Sequence, residues 1–318
     1  MKSTLSSSVS HQPNAISRPF LTDGGMETWL VFQQGIELPE FAAFPLLEEE
    51  AGRELLRNYF RRHLDIAEEL QTGFILGSNS WRANPDWAHK LGYTESEIRK
   101  VNELSISELQ PLRDEYRNRV PEIEITGTIG PRGDGYVPAD LMTAPQAEAY
   151  HSTQIRIFAE QGADSVCAMT LNYTDEAIGI IRAARTAEIP AVISFTVETD
   201  GCLPTGESLR SAIERTDAET DGAADYYMIN CAHPTHFEAV FNDGGDWLYR
   251  IQGIRANASR LSHAELDACE TLDEGDPFDL ADRLRRLQSV LPNLKVFGGC
   301  CGTDHRHIRA IGAACLSQ

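Results

Sequence analysis

The chain has 318 residues, enough for one large α/β domain or for two domains of ordinary size. Its 28 Lys and Arg residues are outnumbered by 48 Asp and Glu residues, and a formal net charge of −20 argues against nucleic acid as a partner. No segment approaches the roughly 18 consecutive apolar residues of a transmembrane helix, so we expect no membrane partner. Nothing in the sequence predicts an oligomeric state.

The first 18 residues differ in composition from the rest of the chain. The stretch "MKSTLSSSVSHQPNAISR" is polar and rich in Ser, and it lacks the apolar core of a signal peptide. We therefore predict a disordered tail over residues 1–18 and a cytoplasmic protein. The chain has seven cysteines, an odd number, and no export signal, so we expect reduced thiols and no framework of disulfides.

From Pro19 onward, short apolar runs alternate with longer amphipathic stretches. The runs are too short for helices, and several are rich in Val, Ile, Phe or Tyr, which favours β-strands. The predicted strands cover residues 20–24, 73–79, 123–130, 164–170, 190–196, 225–231, 248–257 and 294–299. The predicted helices cover residues 52–71, 95–119, 144–161, 174–187, 206–217, 278–291 and 304–315.

This alternation predicts a single (β/α)8 TIM barrel of the α/β class over residues 19–318. A doubly wound open sheet is the main competing architecture. However, no G-x-G-x-x-G motif follows the first strand, and no change of composition marks an internal boundary. The acidic segment 258–277 is weakly periodic and is predicted to be an insertion or a long loop before the seventh helix.

Polar residues and glycines follow most of the predicted strands, at the end where barrel enzymes hold their active sites. We therefore expect the functional residues at this rim. The set comprises Asp23, Gly24, Gly25, the run 78–80 with Asn79 at its centre, the run 130–133, Thr170, Thr196, Asn230, Cys231, Asn257 and the run 298–302.

Three cysteines stand at two of these strand ends, Cys231 after the sixth strand and Cys300 and Cys301 after the eighth. The sixth and eighth strands are near neighbours in a barrel, so the three thiols can converge on one point. Zn²⁺ favours thiolate ligands, and a catalytic zinc keeps three protein ligands and one open position. On spacing alone, two alternatives stay open: the thiols pack as buried apolar groups, or Cys300 and Cys301 form a strained disulfide.

Several stretches together resemble the zinc-dependent homocysteine S-methyltransferase family, which is related to the betaine-homocysteine and S-methylmethionine-homocysteine methyltransferases. The resemblance covers roughly residues 18–315 and implies the same barrel that the order of elements predicts. The matching stretches are "DGGMET" (23–28), "GSNSWRAN" (77–84), "GTIGPRGDGY" (127–136), "INCAHP" (229–234) and "GGCCGTDHRHI" (298–308).

The resemblance implies that Cys231, Cys300 and Cys301 hold a zinc ion. It also implies that the thiol of homocysteine binds zinc as the fourth ligand and loses its proton. The thiolate then attacks an activated methyl group, and the product is methionine.

The resemblance further implies a set of substrate-binding residues. Asp23 corresponds to a family aspartate that helps to hold the amino-acid end of the acceptor, and the amides of Gly24 and Gly25 are expected to bind the acceptor's carboxylate. The remaining residues predicted to line the pocket are Asn79, Met169, Thr170 and Asn257.

The chain departs from the family pattern at the end of the fourth strand. Family members carry a glutamate there that pairs with the acceptor's ammonium group, whereas this chain has Met169, followed by Thr170. Losing one partner of a buried charge pair is costly. Either another carboxylate takes its place, with Glu198 or Glu27 as the candidates, or the acceptor is not a simple α-amino thiol.

The methyl donor is predicted to be a small free molecule, because the chain is too short to add folate and cobalamin modules. S-methylmethionine, S-adenosylmethionine and betaine are the candidates, and we favour S-methylmethionine or another small sulfonium. A sulfonium needs aromatic faces or carboxylates around it. Trp29, Trp81 and Trp87 follow the first two strands, although large aromatic residues also pack under loops without any ligand.

Two other functions stay open. The same zinc and thiolate chemistry can serve a different small thiol or a selenol acceptor, or the protein binds zinc as a store or thiol sensor without turnover. A metal store closes all four coordination positions, whereas three cysteines leave one position open, which favours catalysis.

Overall fold

A computed structural model describes residues 16–316 of the chain. Eight parallel strands form a closed barrel in sequence order, and the last strand pairs with the first. The fold is therefore the predicted (β/α)8 barrel. Its strands are β1 (Phe20–Leu21), β2 (Gly73–Gly77), β3 (Ile123–Ile129), β4 (Ser165–Leu171), β5 (Ala191–Phe195), β6 (Tyr227–Asn230), β7 (Ile251–Ala256) and β8 (Val296–Gly299).

The strands read as continuous apolar runs because a parallel barrel buries both faces of its sheet. Phe74 and Leu76 of β2 belong to the large outer core, in which helices cover the sheet, while Ile75 between them belongs to a second cluster. This second cluster draws on alternate strand positions and fills the barrel interior. Its members are Phe20, Ile75, Cys167, Met169, Val192, Tyr226, Met228 and Val296.

The helices surround the barrel and follow the predicted order, with small shifts of their ends. Shorter 3-10 and π-helical turns lie in the loops, among them Trp29–Gln33 and Asp246–Arg250. The helices are α1 (Met26–Thr28), α2 (Glu50–Glu69), α3 (Pro85–Lys90), α4 (Glu95–Ser107), α5 (Gln110–Tyr116), α6 (Ala144–Glu160), α7 (Thr174–Thr186), α8 (Leu209–Thr220), α9 (Pro234–Phe237), α10 (His263–Asp267), α11 (Pro277–Leu287) and α12 (His305–Leu316).

The single long helix predicted over residues 95–119 is wrong, because α4 ends at Ser107 and α5 begins at Gln110. Pro111 lies in the first turn of α5 and has no backbone N–H to donate to the carbonyl of Ser107. The chain therefore breaks and restarts at a position where amphipathic periodicity alone shows no interruption.

The N-terminal tail predicted over residues 1–18 lies only partly within the described residues. Residues 1–15 lie outside the described part, so the disorder predicted for the tail stays a prediction. Residues 16–18 contact the barrel, since Lys295 Nζ donates to the Ile16 carbonyl at 2.5 Å and Arg18 pairs with Glu122 at 3.2 Å.

The acidic segment 258–277 contains α10 and continues into α11. Across residues 16–316, no helix is both long and apolar enough to cross a membrane.

Candidate active site

A cavity of about 80 Å³, here called the inner cavity, opens where the strands end at their carboxyl termini. Most of the residues predicted to bind substrate or metal line it, the exceptions being Asn257 and part of the aromatic set. Its walls include Asp23, Gly24, Gly25, Met26, Glu27, Asn79, Trp81, Tyr136, Met169, Thr170, Asn230, Cys231, Arg255, Cys300 and Cys301.

The three predicted cysteines meet at one point of this cavity. The sulfur atoms of Cys231, Cys300 and Cys301 all lie within 4.8 Å of one another, and within the described residues they are the one group of His, Cys, Asp or Glu side chains placed to hold a metal ion. Cys231 directly follows β6, and the other two follow β8. Cys231 and Cys300 are 69 residues apart in the sequence, and the closed barrel brings them together because β6 and β8 end at the same rim.

The expectation that all cysteines are reduced is wrong for one pair, because Cys231 and Cys300 are joined by a disulfide with their Cα atoms 5.3 Å apart. Cys301 is free. The alternative disulfide between Cys300 and Cys301 does not form. Cys231 and Cys300 come from two strand ends that point toward one spot, whereas neighbouring cysteines must strain the peptide between them.

The donor set suits a soft divalent metal once the disulfide is reduced. Three thiolates leave one position of a tetrahedral ion open for a ligand. Burial raises the pKa of the Cys301 thiol to about 12, so as a free group it is protonated at neutral pH. Coordination deprotonates a thiol outright, which makes the burial of Cys301 compatible with metal binding.

Two residues of the site have left-handed backbone conformations that side chains rarely adopt, Thr170 at φ 64° and Cys231 at φ 55°. Asn230 stabilises the first, since its Oδ1 accepts from Thr170 N–H and its Nδ2 donates to Thr170 Oγ1, both at 2.8 Å. Asn257 Nδ2 donates to the Cys231 carbonyl at 3.0 Å. Such conformations cost about 1–3 kcal/mol each and are typical of functional sites. Here they aim both residues into the cavity.

The loop after β1 packs directly against the loop that holds the cysteines. A Cβ at Gly25 would overlap the carbonyl of Cys300, so only glycine permits this approach. The Gly25 N–H donates to the carbonyl of Thr303 at 3.0 Å. It is therefore not available as the predicted donor to a substrate carboxylate. No hydrogen bond within residues 16–316 uses the Gly24 N–H, which stays a candidate for that role.

Asp23 is paired within the protein. Its Oδ1 lies 2.7 Å from Arg255 Nη2, and its Oδ2 accepts from the Tyr59 hydroxyl at 3.2 Å. Arg255 also donates from Nε to the Gly299 carbonyl at 3.1 Å, and from Nη2 to the Gly24 carbonyl at 3.2 Å. Arg255 was not predicted as a site residue, because an arginine at the end of a strand is expected to be exposed until its acidic partner 232 positions away is known.

Of the two carboxylates considered as substitutes for the missing glutamate, Glu27 lines the inner cavity and Glu198 does not. Glu27 has no ion pair with any residue of the described chain. Burial raises its pKa, and the neighbouring Asp23 adds to that rise, while Arg255 and Arg82 oppose it. The ionised form of Glu27 is thus only partly compensated by positive charges within the described chain.

A second space of about 440 Å³, here called the outer chamber, adjoins the inner cavity. Trp81, Tyr136 and Cys301 line both. The segment 258–277 forms one side of the outer chamber, which also holds Asn257. Its further walls include Phe32, Glu40, Arg82, Trp87, Asp134, His263, Leu266, Asp267, Cys269 and Asp273.

The aromatic residues divide between the core and the chamber. Trp29 belongs to the core, 3% exposed, with its ring 5.0 Å from Tyr59, so it does not reach the site. Trp81 and Trp87 both line the outer chamber. Tyr136, in the "GTIGPRGDGY" stretch, was not singled out from the sequence; its ring stacks on His263 with centroids 4.0 Å apart.

The fold and this rim define a class of protein, a (β/α)8-barrel enzyme with a three-cysteine candidate metal centre. The sequence model of a family described as homocysteine S-methyltransferase matches residues 20–315. The chain belongs to that family and is a methyltransferase. Homocysteine S-methyltransferase YbgG of Bacillus subtilis (strain 168) is 24% identical to it over 307 residues, which is 92% of each chain.

Solved structures show the same fold. The homocysteine methyltransferase MmuM of Escherichia coli, in its oxidized form, matches with a TM-score of 0.72 and 21% identity over 93% of this chain and 95% of that one. Its metallated form matches with a TM-score of 0.72 and 21% identity over 93% and 96%. At this level of identity the likeness establishes the architecture.

Proposed function

We propose that this methyltransferase moves a methyl group from a small onium donor to the sulfur of homocysteine, with Zn²⁺ held by Cys231, Cys300 and Cys301. The observation that carries the proposal is the convergence of three sulfur atoms within 4.8 Å at the edge of a cavity at the carboxyl ends of the strands. Zinc bound there supplies the positive charge that lowers the pKa of the acceptor thiol, so that a nucleophilic thiolate exists at neutral pH.

Metal binding requires the reduced form of the site, because a disulfide offers no thiolate. A dithiol reductant supplies two electrons and two protons to the Cys231–Cys300 disulfide and becomes a disulfide itself, and the two thiols so formed lose their protons on binding the metal. Purification under reducing conditions is therefore part of any test.

The inner cavity would hold the acceptor. Glu27 supplies a carboxylate for the ammonium group of homocysteine, in the role that Met169 cannot fill. The Gly24 N–H and the Arg255 guanidinium supply donors for the acceptor's carboxylate, with Asp23 holding the arginine in place. A cavity of about 80 Å³ suits a short thiol rather than a peptide or a bulky thiol.

The outer chamber would hold the donor. It adjoins the inner cavity at Cys301, and the rings of Trp81 and Tyr136 line both spaces. Aromatic faces attract an onium centre and leave its methyl group free to react. The acceptor and the donor thus approach the reacting atoms from two different spaces, as in-line displacement requires.

The reaction balances as a displacement at carbon. The acceptor sulfur forms a bond to the methyl carbon, and the bond from that carbon to the donor's onium atom breaks, with its electron pair going to the donor. The proton of the acceptor thiol passes to solvent. With S-methylmethionine as donor, which we favour, both organic products are methionine.

A different small thiol is the second candidate acceptor, and Met169 favours it. This side chain is 8% exposed and contributes no charge to the cavity wall. An acceptor without an ammonium group would not need a carboxylate at this position.

The test combines metal analysis with an assay on reduced protein. We expect zinc near one ion per chain, methionine formation from S-methylmethionine and homocysteine, and loss of turnover after chelation. Cys301→Ala should lose both zinc and turnover while the barrel stays folded, because this thiol lies at the rim. Cys202→Ala is the matched control, since Cys202 is half-buried and lines neither space.

Three results would contradict the proposal in different ways. Normal zinc and turnover in Cys301→Ala would exclude the three-thiolate site. Bound zinc without methyl transfer from any onium donor to any small thiol would favour a zinc store or sensor. Activity that needs no metal would favour a redox role for the cysteines.

A further inference from the structure

Arg82 follows β2 and is buried between two indole rings. Its guanidinium carbon lies 4.1 Å from the ring centroid of Trp81 and 3.6 Å from that of Trp87. The residue is 7% exposed. Its Nη1 donates to the Gly133 carbonyl at 3.4 Å, while its Nε is buried without a hydrogen-bond partner in the described part of the chain. Burial lowers the pKa of Arg82 to about 10, because neighbouring negative charges do not fully compensate the positive charge of the guanidinium.

The other deeply placed arginines each have a carboxylate partner. Arg250 lies 2.7 Å from Asp217, and Arg255 lies 2.7 Å from Asp23. No Asp or Glu oxygen of residues 16–316 lies within 4.0 Å of the Arg82 guanidinium. A buried guanidinium without a counter-ion is costly, and an anionic group supplied by a ligand would remove that cost.

The surroundings of Arg82 determine what kind of ligand fits. Arg82 is a wall of the outer chamber, which also reaches Cys301. The remaining charges on the chamber walls are negative, so a simple anion is repelled from the chamber as a whole. The acidic residues are Glu40, Asp134, Asp267 and Asp273. A ligand that carries both a carboxylate and a cation satisfies both conditions.

We propose that Arg82 binds the carboxylate of the methyl donor, and that the donor is therefore an onium ion that carries its own carboxylate. The proposal rests on the proposed function and deepens it, because it assigns a specificity-determining residue for the donor. Simple onium ions without a carboxylate are excluded as efficient donors.

The geometry of the guanidinium explains how it would position the donor. Its Nη2 has no hydrogen-bond partner among residues 16–316 and can donate to a carboxylate oxygen, and the two indole rings hold the guanidinium plane in one orientation. With the carboxylate held at Arg82, the onium centre extends along Trp81 and Tyr136 toward the inner cavity, whose walls both residues share. The methyl group then faces the side on which the acceptor is bound.

The test compares S-methylmethionine with its carboxamide, in which a neutral amide replaces the carboxylate. For reduced, zinc-loaded wild-type protein saturated with homocysteine, we expect kcat/KM to be about ten- to a hundredfold lower for the amide. Arg82→Gln should lower kcat/KM for S-methylmethionine by a similar factor and abolish the preference. The KM for homocysteine and the zinc content should not change. Arg82→Lys should keep part of the preference, because a point charge remains.

Arg132→Gln is the matched control, because Arg132 lies at the same rim, pairs with Asp86 at 2.9 Å and does not line the outer chamber. It should keep the full preference. Equal kcat/KM for both donors in the wild-type protein would overturn the proposal even if Arg82→Gln does not fold. A loss in Arg82→Gln that is equal for both donors, or that falls on the KM for homocysteine, would also overturn it.

Calorimetric titration separates this proposal from the proposed function. The two sulfonium compounds are titrated into zinc-loaded protein without turnover. A preference for the carboxylate compound that disappears in Arg82→Gln supports the assignment of Arg82 even if no methyl transfer occurs. Absence of that preference contradicts the assignment even if methyl transfer is fast.

Discussion

Glu27 and Met169 differ in the chemistry that they can offer to the proposed acceptor. Both line the inner cavity, but only Glu27 has an ionisable side chain, and burial raises its pKa. A carboxylate in this position gains a partner when an ammonium group enters. The absence of the family glutamate at position 169 therefore does not by itself exclude an amino-acid acceptor.

Glu27→Gln is expected to raise the KM for homocysteine about ten- to a hundredfold, because it removes the charge that would bind the ammonium group. The double variant Glu27→Gln with Met169→Glu should recover much of that loss, since it returns a carboxylate to the other side of the cavity. Steady-state kinetics with homocysteine as the varied substrate measures both effects.

Glu198→Gln is the control for this experiment, because burial also raises the pKa of Glu198 but the residue does not line the cavity. It should leave the KM for homocysteine unchanged. An unchanged KM in Glu27→Gln would show that the ammonium group binds elsewhere, or that the acceptor lacks one.

At the scale of elements, local signals determine where the helices begin. Thr94 and Glu97 form a capping box at the start of α4: the Thr94 side chain accepts from Glu97 N–H, and the Glu97 side chain accepts from Thr94 N–H at 2.8 Å. These bonds satisfy two of the free N–H groups at a helix start. The Thr94 hydroxyl also donates to the Glu97 carboxylate at 2.6 Å, and this bond, together with the one from the Thr94 N–H, lowers the pKa of Glu97.

Thr94→Ala is expected to lower the free energy of unfolding by about 1 kcal/mol, because the N-cap hydrogen bond is lost. Activity should not change, since α4 packs on the outside of the barrel. Lys100→Ala, at an exposed position of the same helix, is the control and should have little effect. Urea denaturation of both variants measures the difference, and equal stabilities would contradict a contribution from the cap.

The segment 258–277 is predicted poorly from the sequence, although it forms part of the outer chamber. It is acidic and only weakly periodic, so the sequence predicts little beyond a long loop. In the structure it holds α10 and forms one side of the outer chamber. Its contribution depends on what lies opposite, namely Trp81, Arg82 and Tyr136 from the loops after β2 and β3.

At the scale of the whole molecule, the pH dependence of stability reports buried charges. Glu124 lies in β3, and burial raises its pKa to about 7, with Glu122, Asp164 and Asp225 adding to the rise. Its pKa in the unfolded chain is close to 4.3. Between these values the folded state binds the proton more tightly. The ionised carboxylate therefore destabilises the fold above pH 7, and this cost vanishes as the pH falls through about 4.5.

Glu124→Gln is accordingly expected to raise the free energy of unfolding at pH 8 by roughly 1–2 kcal/mol, since water screens part of a charge that is not fully buried. At pH 4.5 the variant and the wild type should be nearly equal. Glu37→Gln, at an exposed position, is the control. Denaturation at both pH values measures the effect, and a gain of the same size at both would exclude titration as its cause.

The sequence by itself determined the barrel and the location of its site. Parallel strands buried on both faces must be continuous apolar runs, and helices that cover them must be amphipathic, so both are legible from local patterns. That the three cysteines can converge was predicted in the same way, because residues at the carboxyl ends of barrel strands share one rim, whereas their role as metal ligands was implied by the family resemblance. The break between α4 and α5 was not predicted, because the amphipathic period continues across it and a single residue, Pro111, interrupts the helix.

Only the tertiary structure decided which of the rim groups are free to act. It pairs Asp23 with Arg255, joins Cys231 to Cys300 and places no carboxylate of residues 16–316 beside Arg82 as a counter-ion. Each of these facts depends on a distance between side chains on different strands or loops. Periodicity and motifs describe neighbours along the chain, whereas charge compensation, disulfide bonding and desolvation depend on neighbours in space.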